Sequence, residues 1–305
     1  MSTPDAIAAH MPESHAYSDA KKPASRLIYW SIVREFWESP SIYAAPLAVA
    51  AVALLGYLVA AIFLPGHQPT RVMTRHHNPL SEVYEIVTVV VMMTVVFLQV
   101  LYSLDALYGE RRERSILFWK SLPVSDGTTV LAKAFIPMIF LPLYGLLVTI
   151  VAQFGVLLIA TVVVLFTGGS VAMLWGQSLM LTPDLLLGYH LLTVHTLWYA
   201  PIYCWILFVS AWSKRSPFVW VVFPPLAIYG VERLLFGTTL FADMLQSRFM
   251  GSSHATAGEG MTNMGMGTHP TPVAFLANPS LWLGLLVAAA LLYGAARLRR
   301  YHEPI

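Results

Sequence analysis

Six apolar runs, each long enough to cross a bilayer of about 30 Å, dominate this sequence, at 42–64, 83–106, 131–166, 185–212, 217–236 and 280–298. A chain so built cannot hide its apolar surface in water, because 57% of its residues are hydrophobic and only 11% charged, against roughly a quarter charged in soluble domains. The reading is an all-α integral membrane protein with six transmembrane helices, and 305 residues leave no room for a large soluble domain beside them. The run at 131–166 exceeds one upright span, so a tilted helix starting near Val130 is expected, ending near Thr167-Gly168-Gly169. Ser81-Glu82 and Thr182-Pro183-Asp184 read as helix starts, and Pro224-Pro225 should kink the fifth run.

Residues 1–24 are polar and lack the apolar core of a signal peptide, and are expected to form a disordered cytoplasmic tail ahead of a six-span transmembrane domain at 25–305. Orientation comes from the basic residues. Fourteen of the eighteen fall on one side of the predicted membrane, including Arg34, Arg111, Arg112, Arg114, Lys120, Lys133, Lys214, Arg215 and Arg299; Arg71, Arg75, Arg233 and Arg248 fall on the other. This asymmetry places both termini in the cytoplasm and the segments 65–82, 167–184 and 237–279 outside, with the cytoplasmic (inner) membrane as the location.

Two cytoplasmic segments carry more information than topology requires. Residues 26–38 place Tyr29, Val33, Phe36 and Trp37 on one helical face, with Trp30 beside them, which suits a helix anchored in the membrane interface. Residues 109–123, between spans two and three, begin with a mixed-sign cluster, Glu110, Arg111, Arg112, Glu113 and Arg114, and continue into the apolar turn Ile116, Leu117, Trp119 and Pro123. Mixed signs next to an apolar face favour a protein partner over a lipid surface.

The order Glu110-Arg111, Glu113, Ser115-Ile116-Leu117, then Leu122-Pro123-Val124-Ser125 and Lys133, resembles the cytoplasmic connection of type-2 ABC transporter permeases. The resemblance implies that 109–123 is a coupling helix seated in a cleft of an ABC-type ATP-binding subunit. It further implies a second copy of the chain, or a similar permease, as its membrane partner, and an amphipathic or lipid-like cargo to be exported. ATP and Mg would then be bound by the partner subunit, with no cofactor in this chain. Two positions depart from the pattern: Arg114-Ser115 stands where many members have Gly-Thr, and the outer segment 237–279 is longer and richer in Gly and Met. In related exporters short helices fill that outer position, and Thr239 to Phe249 is the matching stretch here.

The sequence excludes several activities. It has no phosphate-binding loop of the Gly-x-x-x-x-Gly-Lys-Ser/Thr kind, no His-Glu-x-x-His zinc motif and no Gly-x-Ser-x-Gly nucleophile turn, and no catalytic residue or nucleic-acid partner is assigned. Cys204 is single and lies in an apolar run, so it builds no disulfide within the chain. Met261, Met264, Met266 and His269 are soft metal ligands, but their spacing matches no defined geometry. Asp105 is expected to pair with Arg111 or Arg112, and Glu232-Arg233 to reach the interface or a dimer seam. His190 and His195 should diverge on an α-helix, being five residues apart. Two rivals to an exporter subunit remain: an intramembrane lipid-modifying enzyme using Asp184, His190 and His195, and a non-transporting scaffold or sensor.

Overall fold

The computed structural model describes residues 24–63, 80–113, 125–178, 181–250 and 275–301, and among them there is no strand; the chain is all helical. In chain order the helices are α1 (Ala24–Glu38), α2 (Ser41–Phe63), α3 (Ser81–Asp105), α4 (Tyr108–Arg112), α5 (Asp126–Phe135), α6 (Leu141–Thr167), α7 (Val171–Ser178) and α8 (Leu181–His190). They continue as α9 (Ala200–Trp212), α10 (Pro217–Leu235), α11 (Leu240–Met250) and α12 (Pro279–Tyr301). Two π-helical segments interrupt the series: Ile136–Phe140 joins α5 to α6, and Leu191–Trp198 joins α8 to the turn before α9.

Five of these helical stretches are long and apolar enough to cross a membrane, and a sixth is obtained by counting Asp184–Trp198 and Ala200–Trp212 as one span bent by 53°. That pattern is compatible with a membrane-embedded protein. The helix limits follow the apolar runs closely, because a segment away from water must satisfy its own backbone and a helix does so residue by residue. The continuous stretch Asp126–Thr167 is 42 residues long, about twice what an upright span needs, and the π segment divides it. It stops where expected: Gly168 takes φ 77°, a left-handed C-terminal conformation cheap only for glycine, and its N–H reaches the Val164 carbonyl.

The predicted start signals coincide with helix starts, with Glu82 and Asp184 in the first turns, although the capping itself differs at α3. Leu80 occupies the cap position of α3, so Ser81 is its first helical residue and not its cap. The helix α8 is described from Leu181, with Asp184 in its first turn, where an acid faces the positive end of the helix dipole. The helix α10 runs through Pro224 and Pro225, and Trp205 of α9 donates its indole N–H to the Val221 carbonyl at 3.1 Å. In an unbroken helix that carbonyl would bond residue 225, which as proline has no N–H to give.

Packing separates into two groups. In the first, α2, α3 and α6 bury a common seam of Ala50, Tyr57, Val87, Val91, Ala152, Val156 and Ala160. Close approach depends on small residues: a Cβ at Gly145 would stand 2.6 Å from the Val95 side chain. In the second, α9 lies along α12 through Ala200, Cys204 and Ala288, with Ala211 and Ala295 nearer the α1 end. No residue of α10 is buried.

At the end away from α1, α11 covers the predicted 239–249 stretch almost residue for residue. The Glu232 carboxylate accepts from Leu240 N at 2.7 Å, Phe241 N at 2.9 Å and the Thr238 hydroxyl at 2.7 Å, capping α11. Arg233 donates to the Gly237 carbonyl. The other end of α11 is clasped by Arg248, whose guanidinium lies 4.4 Å from the Trp198 ring centroid and donates to the carbonyls of Trp198 and Ser280. Burial pushes the Arg248 guanidinium down from its ordinary value.

Candidate functional site

The densest chemistry lies at the α1 end, where α1, the α3–α4 turn, α5 and α12 converge. Three carboxylates and three cations meet there. Glu35 of α1 is 1% exposed and Lys133 of α5 is 3% exposed, with their charged atoms 2.9 Å apart. Arg34 reaches the other Glu35 oxygen at 2.7 Å, and the Tyr102 hydroxyl of α3 donates to Glu35 at 2.8 Å.

Glu110 of α4 is the second hub. One of its oxygens lies 3.3 Å from both Lys133 and Arg34; the other lies 3.0 Å from Arg299 of α12, which also bonds Asp126 at 3.0 Å. Burying one charge of this set would be very costly, but three of each sign at contact distance neutralise one another. Glu38 lies at the edge, 3.6 Å from Arg34. Beside the cluster a cavity of about 550 Å³ opens between the α1–α2 turn and the end of α3, walled by Glu38, Ile42, Leu98, Leu101 and Asp105.

Burial alone would raise the Glu35 carboxyl, but Lys133 and Arg34 outweigh it and hold the group below the usual carboxylate range. A carboxyl that binds its proton less tightly in the folded state adds stability that is in place above that range and lost as pH falls through the folded value. Burial pushes Glu38 the other way, so its contribution has the opposite sign in the same window. The stability difference between wild type and Glu35→Gln should therefore be constant from about pH 6 to 8 and shrink below about pH 4. Thermal melts of both proteins across pH check this, since Glu38 is common to the two.

The α3–α4 turn is fastened to the end of α9. Ser210 accepts from Leu107 N at 3.1 Å and Tyr108 N at 3.0 Å and donates to the Leu104 carbonyl at 2.7 Å. Arg111 donates to the carbonyls of Ser210 and Ser213 at 2.8 and 2.6 Å, closing the C-terminus of α9 as a cation should.

The predicted docking residues thus divide. Glu110 and Arg111 point inward, whereas Arg112 and Glu113 keep side chains 57% and 66% exposed. Arg114, Ile116, Leu117, Trp119 and Pro123 lie outside the described residues, as do Met261, Met264, Met266 and His269. Among the described residues no three metal-ligating side chains converge. Ser125, the last residue of the resemblance motif, is the N-cap of α5 and accepts from Thr128 N. The expected pairing of Asp105 with Arg111 or Arg112 is not formed: Asp105 is exposed, Arg111 is taken by the two carbonyls, and Arg112 faces Glu113.

On α1 the buried stripe runs through Ser31 and Glu35. Phe36 packs edge-on against Phe140 at 4.4 Å, Val33 is half-buried, and Tyr29, Trp30 and Trp37 face outward, Trp37 being 85% exposed. Asp184 meets Gln153 at 3.3 Å, and His195 meets Gln99 and Tyr203. The α-helical argument that separates His190 from His195 does not apply, because a π-helical segment begins directly after His190 and stacks residues five apart.

Sequence reasoning passed over Glu35, Arg299, Ser210 and Gln99. Nothing distinguishes Arg299 from Arg297 and Arg300 in a row of letters. Gln99, by contrast, is a polar residue deep in an apolar run, which is a readable signal. No protein-family model, curated protein or solved structure matches this chain.

Proposed function

We propose that this chain is the membrane-spanning permease subunit of an ATP-driven exporter of the type-2 ABC class. In this reading the α1 end is cytoplasmic, both termini lie on that side, and the coupling segment 109–123 docks on a separate subunit that binds ATP and Mg. A second copy or a similar permease completes the path, and the cargo is amphipathic or lipid-like.

One observation carries the reading. The connection 114–124 leaves from Glu113 and returns at Ser125, and both edges adjoin residues of the same charge cluster, Glu110 on one side and Asp126 on the other. A push on the connection would therefore reach α1, α3, α5 and α12 together, as near-rigid bodies. A loop that only joined two spans would need no such tie. The basic asymmetry of the loops and the resemblance motif point the same way.

The test is an affinity pull-down from the native membrane, comparing wild type with the Arg112→Glu, Glu113→Lys double variant. Both side chains are exposed, so folding should be spared, whereas a Glu110 substitution would disturb the cluster and blur the answer. Wild type should recover an ATP-hydrolysing subunit, and the double variant should lose at least about tenfold of it, the effect of disrupting close charge pairs across an interface. A wild-type eluate without ATPase activity, under conditions that preserve complexes, would leave the scaffold and lipid-enzyme readings ahead.

A further inference from the structure

The third span carries Pro137 and Pro142, five residues apart in Ile136-Pro137-Met138-Ile139-Phe140-Leu141-Pro142. Leu141 N bonds the Ile136 carbonyl, in the π pattern. The Pro137 carbonyl therefore receives neither Leu141 nor residue 142, which has no N–H; the Met138 carbonyl loses its α-helical donor for the same reason. Two adjacent carbonyls in the packed interior must find donors elsewhere.

Both donors come from other helices. Gln99 of α3, fully buried, places Nε2 2.6 Å from the Pro137 carbonyl, and Thr196 of the second π segment shares its one hydroxyl proton between the Met138 carbonyl and the Leu191 carbonyl, each at 2.9 Å. Gln99 Nε2 also lies 2.8 Å from His195 Nε2, and Tyr203 donates to Gln99 Oε1 at 3.0 Å. The reversed amide would set its oxygen against the Pro137 oxygen, so the network fixes the orientation. Both N–H bonds of the amide are then in use, His195 accepts on Nε2, and its proton sits on Nδ1.

We propose that the two facing π segments form a joint between the third and fourth spans, and that the Gln99 carboxamide is the latch holding it in the closed form. A π segment is an α-helix with one residue too many, and that residue can migrate when the carbonyls it strands exchange partners. Here the stranded carbonyls are held by side chains that can withdraw, not by the helix backbone. The bend of 53° follows directly after the second π segment, so a register change there would swing α9. Thr196 and His195 are positioning residues of the same latch. The inference goes beyond the transport reading and does not depend on it.

Hydrogen–deuterium exchange of the purified full-length chain in lipid nanodiscs tests it. Gln99→Leu and His195→Leu should each speed exchange of amides in both 136–143 and 191–198 by about tenfold, the equivalent of one lost buried hydrogen bond, with α2 unchanged. His195→Gln, whose amide oxygen stands where Nε2 does, should stay within about twofold of wild type, as a retained hydrogen bond requires. Should Gln99→Leu fail to accumulate, Thr196→Val is judged by the same criterion on the same two segments. Unchanged rates in both segments, an equal rise in every span, or a His195→Gln protein as fast as His195→Leu would each overturn the proposal.

Discussion

Replacing Lys133 with methionine should destabilise the chain by about 3–5 kcal/mol, the usual cost of removing one partner from a buried ion pair. Methionine fits the space of the lysine stem, so packing is largely conserved and the loss is electrostatic. Glu35 would keep Arg34 and the Tyr102 hydroxyl, and Glu110 would keep Arg34 and Arg299, but three carboxylates would then face two cations in a largely buried site. The double variant Lys133→Met, Glu35→Met removes one charge of each sign and should recover most of the loss, short of what Tyr102 gives up. Chemical denaturation in detergent measures both. A single variant as stable as wild type would mean that Lys133 is not a buried counter-charge, and an additive double variant would mean that the two do not interact.

Ser210→Ala should cost nearly as much, although it removes one oxygen. That oxygen serves two N–H groups and one carbonyl at the junction of α3 and α4, where the end of one helix and the start of the next leave backbone groups without partners. Each buried group left unsatisfied costs about 1–3 kcal/mol, so a total of about 2–4 kcal/mol is expected after local relaxation. The damage should spread, because the same turn positions Glu110 and Arg111. Limited trypsin digestion reads this directly: Arg111, buried in the wild type, should become a cleavage site in the variant. Resistance at Arg111 equal to wild type would show that the turn is held by other contacts.

The helices were legible because their signal is strong and local. A run of about 20 apolar residues has one good backbone solution, and the observed limits depart from the runs by a few residues only. Capping was read less well at α3, where Leu80 takes the cap position and Ser81 is the first helical residue. The π segments escaped notice for a different reason. Pro137 and Pro142 announce missing N–H groups, but only the fold shows that Gln99 and Thr196 lie within reach to make the vacancies tolerable.

The charged turn shows the limit of reading charges as wet. Five consecutive charged residues after an apolar run suggest a solvated face, and for Arg112 and Glu113 that holds. For Glu110 it fails because Arg34, Lys133 and Arg299 arrive from helices far away in sequence. No window of letters contains that information. The Asp105–Arg111 pairing failed on the same ground: proximity in sequence lost to the unsatisfied carbonyls of another helix.

The separation of Glu110 from Arg299 also sets a timetable. The two are 189 residues apart, and at about 5–20 residues per second the ribosome takes on the order of ten to forty seconds to travel between them. During that interval α1, α4 and α5 can gather, but their carboxylates lack the last counter-charge, and the growing chain holds an incomplete ionic set beside the translocation machinery. Arrival of α12 completes the set. A chain that ended ahead of α12 would therefore leave Glu110 with Arg34 and Lys133, and both Glu110 and Asp126 without Arg299.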